Sequence, residues 1–344
     1  MITFGNQILY VSIVVSAIAL LGLLLKEFKK GEIVTKFVTP AILLSAGLFT
    51  FAYLLLTYYF AVSDFTYEYV WEYSSIDLPM IYKLSGTWAG QPGTYLLWVW
   101  VIFLSAAWLA VTTKHSTPLA RRTQIITLII GIYFTVLTLI QTPFKSIYEL
   151  PNIAEMIASG SLPANFVPEA GNGLNALLVN FWMIVHPPLM FIGYATMTIP
   201  FAAAIVYLLT KEEGWEELGR QWARFTWLVL GMGIAVGGVW AYFILGWGGL
   251  WAWDPVETVH TVAHTHRLPS CYGASQEEQE HLCDSCANAF SGLFYPYHLC
   301  SHSGAKRSFQ LCACFWRSLH GNIAATINRS DHARISWSWN ETVF

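Results

Sequence analysis

Six stretches of this chain are apolar for long enough to cross a bilayer as helix: residues 7–25, 37–59, 94–113, 124–142, 188–209 and 225–245. About 20 apolar residues are needed to span the hydrocarbon core, where every backbone polar group must be paired inside the protein. The pattern predicts an all-α polytopic membrane protein with about six transmembrane helices. Composition agrees, since charged residues make up 11% of the chain and mean hydropathy is +0.49, whereas an ordinary soluble domain carries about 25% charged residues. The first run is too long for a signal-peptide core and has no basic residue ahead of it, so it reads as a retained span. A net charge of -3 gives no reason to expect a nucleic-acid partner.

Loop charge predicts orientation. The segments after spans one, three and five hold Lys26, Lys29, Lys30 and Lys36; Lys114, Arg121 and Arg122; and Lys211, Arg220 and Arg224. Those after spans two and four hold only Lys83 and Lys145, among acids running from Asp64 to Glu169. Basic loops stay on the cytoplasmic side. The expectation is therefore a multi-pass protein of the cell membrane with its N-terminus and both long loops outside.

Two features could carry chemistry, and span parity puts both at the outer face. The first is His186, in "VNFWMIVHPPLMF", where Pro187 and Pro188 are expected to break or begin a helix. A lone histidine here is either a satisfied structural residue or a metal ligand, and neutral imidazole is a common ligand of haem iron. The second is "GWGGLWAWDPVETVH", Gly246 to His260. Isolated tryptophans suit a membrane interface, but paired glycines and a following Asp-Pro are not required by that role. Gly248 and Gly249 would let a flat ligand approach the backbone. Trp247, Trp251 and Trp253 would offer stacking faces, and Asp254 a polar anchor.

"WGGLWAWDPVE" resembles the tryptophan-rich WWD motif of the haem-handling proteins of cytochrome c maturation. Two further blocks, "GTWAGQPGTYLLWVW" and "GLNALLVNFWMIVHPPLMFIGYATMTIPFA", are similar to the CcmF-type cytochrome c haem lyase subunit in particular. The resemblance implies haem presented at the outer face between two flanking histidines, of which His186 matches the first. It implies attachment of haem vinyl groups to the reduced thiols of a Cys-x-x-Cys-His motif in apocytochrome c. It also implies a haem carrier and thiol-handling maturation subunits as partners, and a second, b-type haem held by later helices. A haem exporter of the same WWD group would use the same platform without making thioethers.

Beyond Val259 the character of the chain changes. All six cysteines and eight of the ten histidines lie there, and no apolar run approaches 18 residues. The expected division is residues 1–258, a transmembrane haem-handling domain, and 259–344, an aberrant and poorly structured tail. Cys283 and Cys286, with His281 or His298, have a zinc-like local spacing, but Cys312 and Cys314 extend it to no recognisable pattern. Reading every codon from its second base, starting at His260, permits "IPWLTLTAFLHA", then a basic loop, then another apolar run. These suit a continuation of the CcmF pattern, so the tail reads as out-of-frame translation. A chain so altered would lack one flanking histidine and could be a non-functional fragment.

Overall fold

A computed structural model describes residues 3–28, 36–246 and 249–250. Among them are nine α-helices: α1 Phe4–Glu27, α2 Val38–Val62, α3 Glu68–Tyr73, α4 Met80–Ser85, α5 Gln91–Thr113, α6 Pro118–Ile140, α7 Pro151–Ala158, α8 Phe181–Thr210 and α9 Trp215–Phe243. Six of these, α1, α2, α5, α6, α8 and α9, are long and apolar enough to cross a membrane. The described residues form no β-strand beyond an isolated bridge between Tyr67 and Ser146. The protein is an all-α, multi-pass membrane protein.

The helix ends follow capping chemistry and differ from the apolar runs. The fourth span begins at Pro118, six residues before the apolar run, because Thr117 caps it by accepting from Ala120 N at 3.1 Å and proline fits the first helical position. Arg121 and Arg122 therefore lie on a helix. Both reach Glu27 at the end of α1, at 2.6 Å each, and Arg122 also pairs with Glu212 at 2.9 Å. Arg220 and Arg224 likewise lie within α9, which starts at Trp215. The fifth span runs from Phe181 straight through Pro187 and Pro188, so His186 is the sixth residue of a 30-residue helix and not at its boundary. Its start is set by Asn180, whose side chain accepts from Met183 N at 3.1 Å.

α5 and α8 are the most buried spans, and α5 packs against α2, α6 and α8. Their contacts include Trp98, which is fully buried and packs against Phe134, Phe191 and Tyr194. Helices in lipid gain little from hydrophobic burial against one another, so close van der Waals packing and polar contacts hold them. Trp100 donates from Nε1 to Thr50 at 2.9 Å, joining α5 to α2. α9 packs chiefly on α8 in an antiparallel ladder. Gly237 meets His186, Gly233 meets Met190, Gly193 meets Leu230, Thr226 bonds Thr196 at 2.8 Å, and Gly219 meets Pro200. Glycine recurs on this ladder because a Cβ added to Gly233 would lie 2.6 Å from Met190 Sδ, and one on Gly193 would lie 2.5 Å from Leu230.

At one end of the bundle the long connections form a cap. Thr3 donates to Phe144 O at 2.8 Å, and Asn172 and Gly173 donate backbone bonds to Trp71 and Ser74. The buried Tyr69 hydroxyl lies within hydrogen-bond range of Gly86 O and Gly90 O, and accepts from Gly90 N at 3.0 Å. At the other end the connections are short, and there Glu27, Arg121, Arg122 and Glu212 make their ion pairs. His115 sits at this end in a left-handed conformation (φ 52°), buried to 3% exposure.

Candidate functional site

His186 lies at the capped end, its imidazole pressed against the backbone of α9. Nδ1 is 2.9 Å from the carbonyl oxygen of Gly233. A carbonyl can only accept, so Nδ1 carries the proton, and in the neutral ring the lone pair is at Nε2. The ring can come this close because residue 237 is glycine: a Cβ there would lie 2.5 Å from Cε1 and 2.7 Å from Nδ1. The imidazole also meets Trp240 of the same helix edge-on, with ring centroids 5.7 Å apart at 61°. Gly233, Gly237 and Trp240 thus fix both the tautomer and the ring plane.

The turn that carries His186 is held loosely along its own helix. In a regular helix Met183 O would accept from residue 187 and Ile184 O from residue 188. Both are proline and have no N–H. Met183 O instead accepts from Trp88 Nε1 at 3.0 Å. Trp88 ends a single 3-10 turn, Gly86–Trp88, just before α5, in the glycine-rich block singled out in the sequence. That block is pinned by Tyr69, so the cap and the His186 turn are mechanically connected.

Of the residues proposed for an aromatic platform, Gly249 is described, whereas Trp247, Gly248, Trp251, Trp253 and Asp254 lie outside the described residues. The described part still supplies one geometric fact. A Cβ on Gly238 would lie 2.6 Å from Leu250 O, so the chain leading into Trp251 passes against the residue next to the one that touches His186. His186 and Leu250, within the tryptophan stretch, meet adjacent residues of α9 at one end of the bundle. Gly233, Gly237, Trp240 and Trp88 were missing from the sequence-based candidates. The first two are legible as a Gly-x-x-x-Gly pair, a small-residue pattern that lets membrane helices approach closely. Among the described residues no cluster of three or more His, Cys, Asp or Glu could hold a metal ion. An iron ligand here would be His186 acting through a porphyrin site.

The family model described as Cytochrome C assembly protein matches residues 88–265, just over half of the chain. The chain belongs to this family. Among curated relatives, the cytochrome c-type biogenesis protein ccl1 of Rhodobacter capsulatus is 34% identical over 224 residues, which are 64% of this chain and 32% of that protein. CcmF of Haemophilus influenzae is 35% identical over 218 residues, 61% of this chain and 31% of the relative. CcmF of Escherichia coli is 36% identical over 213 residues, 60% and 30% respectively. The chain spans about a third of the length of these relatives, and the resemblance to the CcmF type holds over its N-terminal part. A solved structure titled Cytochrome c Heme Lyase CcmF superposes with a TM-score of 0.64 at 23% identity, covering 84% of this chain and 46% of that one. At that identity the likeness speaks for the fold.

Proposed function

We propose that residues 1–258 present haem at the outer membrane face and take part in its covalent attachment to apocytochrome c. The observation that carries this is the 2.9 Å contact between His186 Nδ1 and Gly233 O, which assigns the proton to Nδ1 and leaves Nε2 as the donor for iron. A ligand histidine commonly has its second nitrogen held in this way, which orients the ring and raises its basicity. Haem, when bound, supplies the vinyl carbons across which the apocytochrome thiols add. This chain's part is placement. His186 would hold the iron, Trp247, Trp251 and Trp253 would stack on the macrocycle, Gly248 and Gly249 would permit its approach, and Asp254 would anchor a polar edge. Holding the reacting groups in register accounts for a large share of such catalysis. Partners in this reading are the apocytochrome, a haem carrier and thiol-handling subunits.

The N-terminus and the tryptophan stretch are assigned to the outside on the strength of loop charge. The short-loop end carries Lys36, Lys114 and Lys211. We further propose that residues 259–344 are out-of-frame translation. Re-sequencing the codons for Thr258 to His264 tests that, and a single intact frame in independent reads overturns it.

The functional test is expression of the chain with an apocytochrome bearing Cys-x-x-Cys-His, alongside hemin titration of the purified protein. A Soret band lost in His186→Ala, with covalent haem on the cytochrome, is expected. Release of free haem without thioether formation would point to an exporter. No Soret band with His186 intact would point to a non-functional fragment.

A further inference from the structure

We propose that Trp88 is a positioning residue for His186, acting through the carbonyl that Pro187 leaves open. The proposal rests on the reading of His186 as an iron ligand. The two prolines remove two successive hydrogen bonds from α8, immediately after the turn that carries the imidazole. That turn, residues 181–186, is therefore joined to the rest of α8 by fewer bonds than any regular helical turn. Two lateral contacts replace them. One is His186 Nδ1 to Gly233 O, which reaches α9. The other is Trp88 Nε1 to Met183 O, which reaches the glycine-rich turn before α5 across 95 residues of sequence.

The second contact has a rigid foundation. Trp88 lies between Gly86 and Gly90, whose backbone atoms meet the hydroxyl of Tyr69, a residue only 3% exposed. A Cβ on Gly90 would lie 2.7 Å from the Tyr73 ring, so the turn has no room to shift toward α3. The indole is thus a strut from the cap to the open carbonyl. Its removal lets the His186 turn rotate about the proline pair, and the imidazole then loses its single orientation against Gly233. Binding sites of this kind tolerate only about half an ångström of misplacement.

The test uses the full chain in detergent and begins without haem. In ¹⁵N-histidine NMR, with His186 assigned by its loss in His186→Ala, the wild type shows one tautomer protonated at Nδ1. Trp88→Phe keeps the ring and removes the donor, and is expected to give signals averaged between tautomers. Pro187→Ala returns an amide N–H to Met183 O, so in the double variant the single tautomer is restored. Hemin affinity follows the same order, falling about tenfold in Trp88→Phe, the loss expected of one hydrogen bond, and recovering in the double variant. An unchanged tautomer in Trp88→Phe overturns the proposal, as does averaging that Pro187→Ala fails to reduce. Should Trp88→Phe not fold, the double variant decides, because the amide N–H that Pro187→Ala supplies closes Met183 O without the indole. A fold regained with a single tautomer protonated at Nδ1 is expected. A double variant as unfolded as Trp88→Phe, or folded with averaged tautomers, overturns the proposal. Failure of the wild type to bind hemin counts against His186 as an iron ligand and leaves the NMR comparison intact.

Discussion

Gly237→Ala isolates the contact on which the His186 geometry depends. The added Cβ would lie 2.5 Å from Cε1 and 2.7 Å from Nδ1 of His186. Carbon atoms in contact settle at about 3.5–4.0 Å, so either the ring or α9 must yield by about 1 Å. A shift of that size takes the 2.9 Å contact between Nδ1 and Gly233 O out of hydrogen-bond range. Losing that bond costs about 1 kcal/mol, and overpacking a tight contact costs about 1–3 kcal/mol. Alanine's better helix propensity returns at most about 1 kcal/mol, so the net destabilisation is about 1–3 kcal/mol. Gly47→Ala is the matched control, because a Cβ there meets nothing within 4 Å. Denaturant unfolding in detergent is expected to separate the two variants, with Gly47→Ala at or above wild type and Gly237→Ala clearly below. In hemin titration Gly237→Ala loses affinity by about tenfold or more while Gly47→Ala is unchanged. Wild-type unfolding and wild-type titration in Gly237→Ala would refute the close packing of imidazole on α9, and the tautomer assignment with it.

Three further outcomes follow from the other end and from the cap. His115 has no hydrogen-bond partner for either ring nitrogen among the described residues, and burial beside Lys26 and Arg121 lowers its pKa from 6.5 to about 4. The unfolded state therefore binds a proton between pH 6.5 and 4 that the folded state refuses, and stability falls as pH drops through that window. His115→Asn, which tolerates the left-handed backbone, flattens this slope in unfolding measured from pH 7 to 4. Glu27→Gln leaves Arg121 without its carboxylate partner and Arg122 with Glu212 alone, and is expected to cost about 1–3 kcal/mol, below the range for fully buried pairs because the site is partly solvated. Limited proteolysis near the 28–37 connection reads the loosened contact between α1 and α6. Tyr69→Phe leaves Gly90 N–H without its acceptor and costs about 1–3 kcal/mol in thermal unfolding.

How far the sequence carried the fold depends on which force sets each feature. The six spans are legible because lipid imposes a length and a polarity that no tertiary contact can override. Their ends are less so, because they answer to caps such as Thr117 and Asn180 that lie outside the apolar runs. Counting Arg121 and Arg122 as loop residues follows from the same blind spot, since a guanidinium can stay on a helix when Glu27 is waiting for it.

The site divides in the same way. His186 stands out from its neighbours by type, and Gly233 with Gly237 could be read from their spacing, since a bare helix face four residues long invites a side chain against it. The open carbonyl at Met183 was also readable, because a proline four residues later cannot supply the N–H. What cannot be read locally is the donor that fills it. The chain holds 16 tryptophans, and nothing near Trp88 in sequence distinguishes it as the partner of a residue 95 positions away. That choice is made by Tyr69 and the glycines at 86, 90 and 93, which together fix where the indole points. A Gly-Thr-Trp block and a His-Pro-Pro block are therefore two halves of one device: the prolines open a carbonyl beside the imidazole, and the block before α5 supplies the hydrogen that closes it.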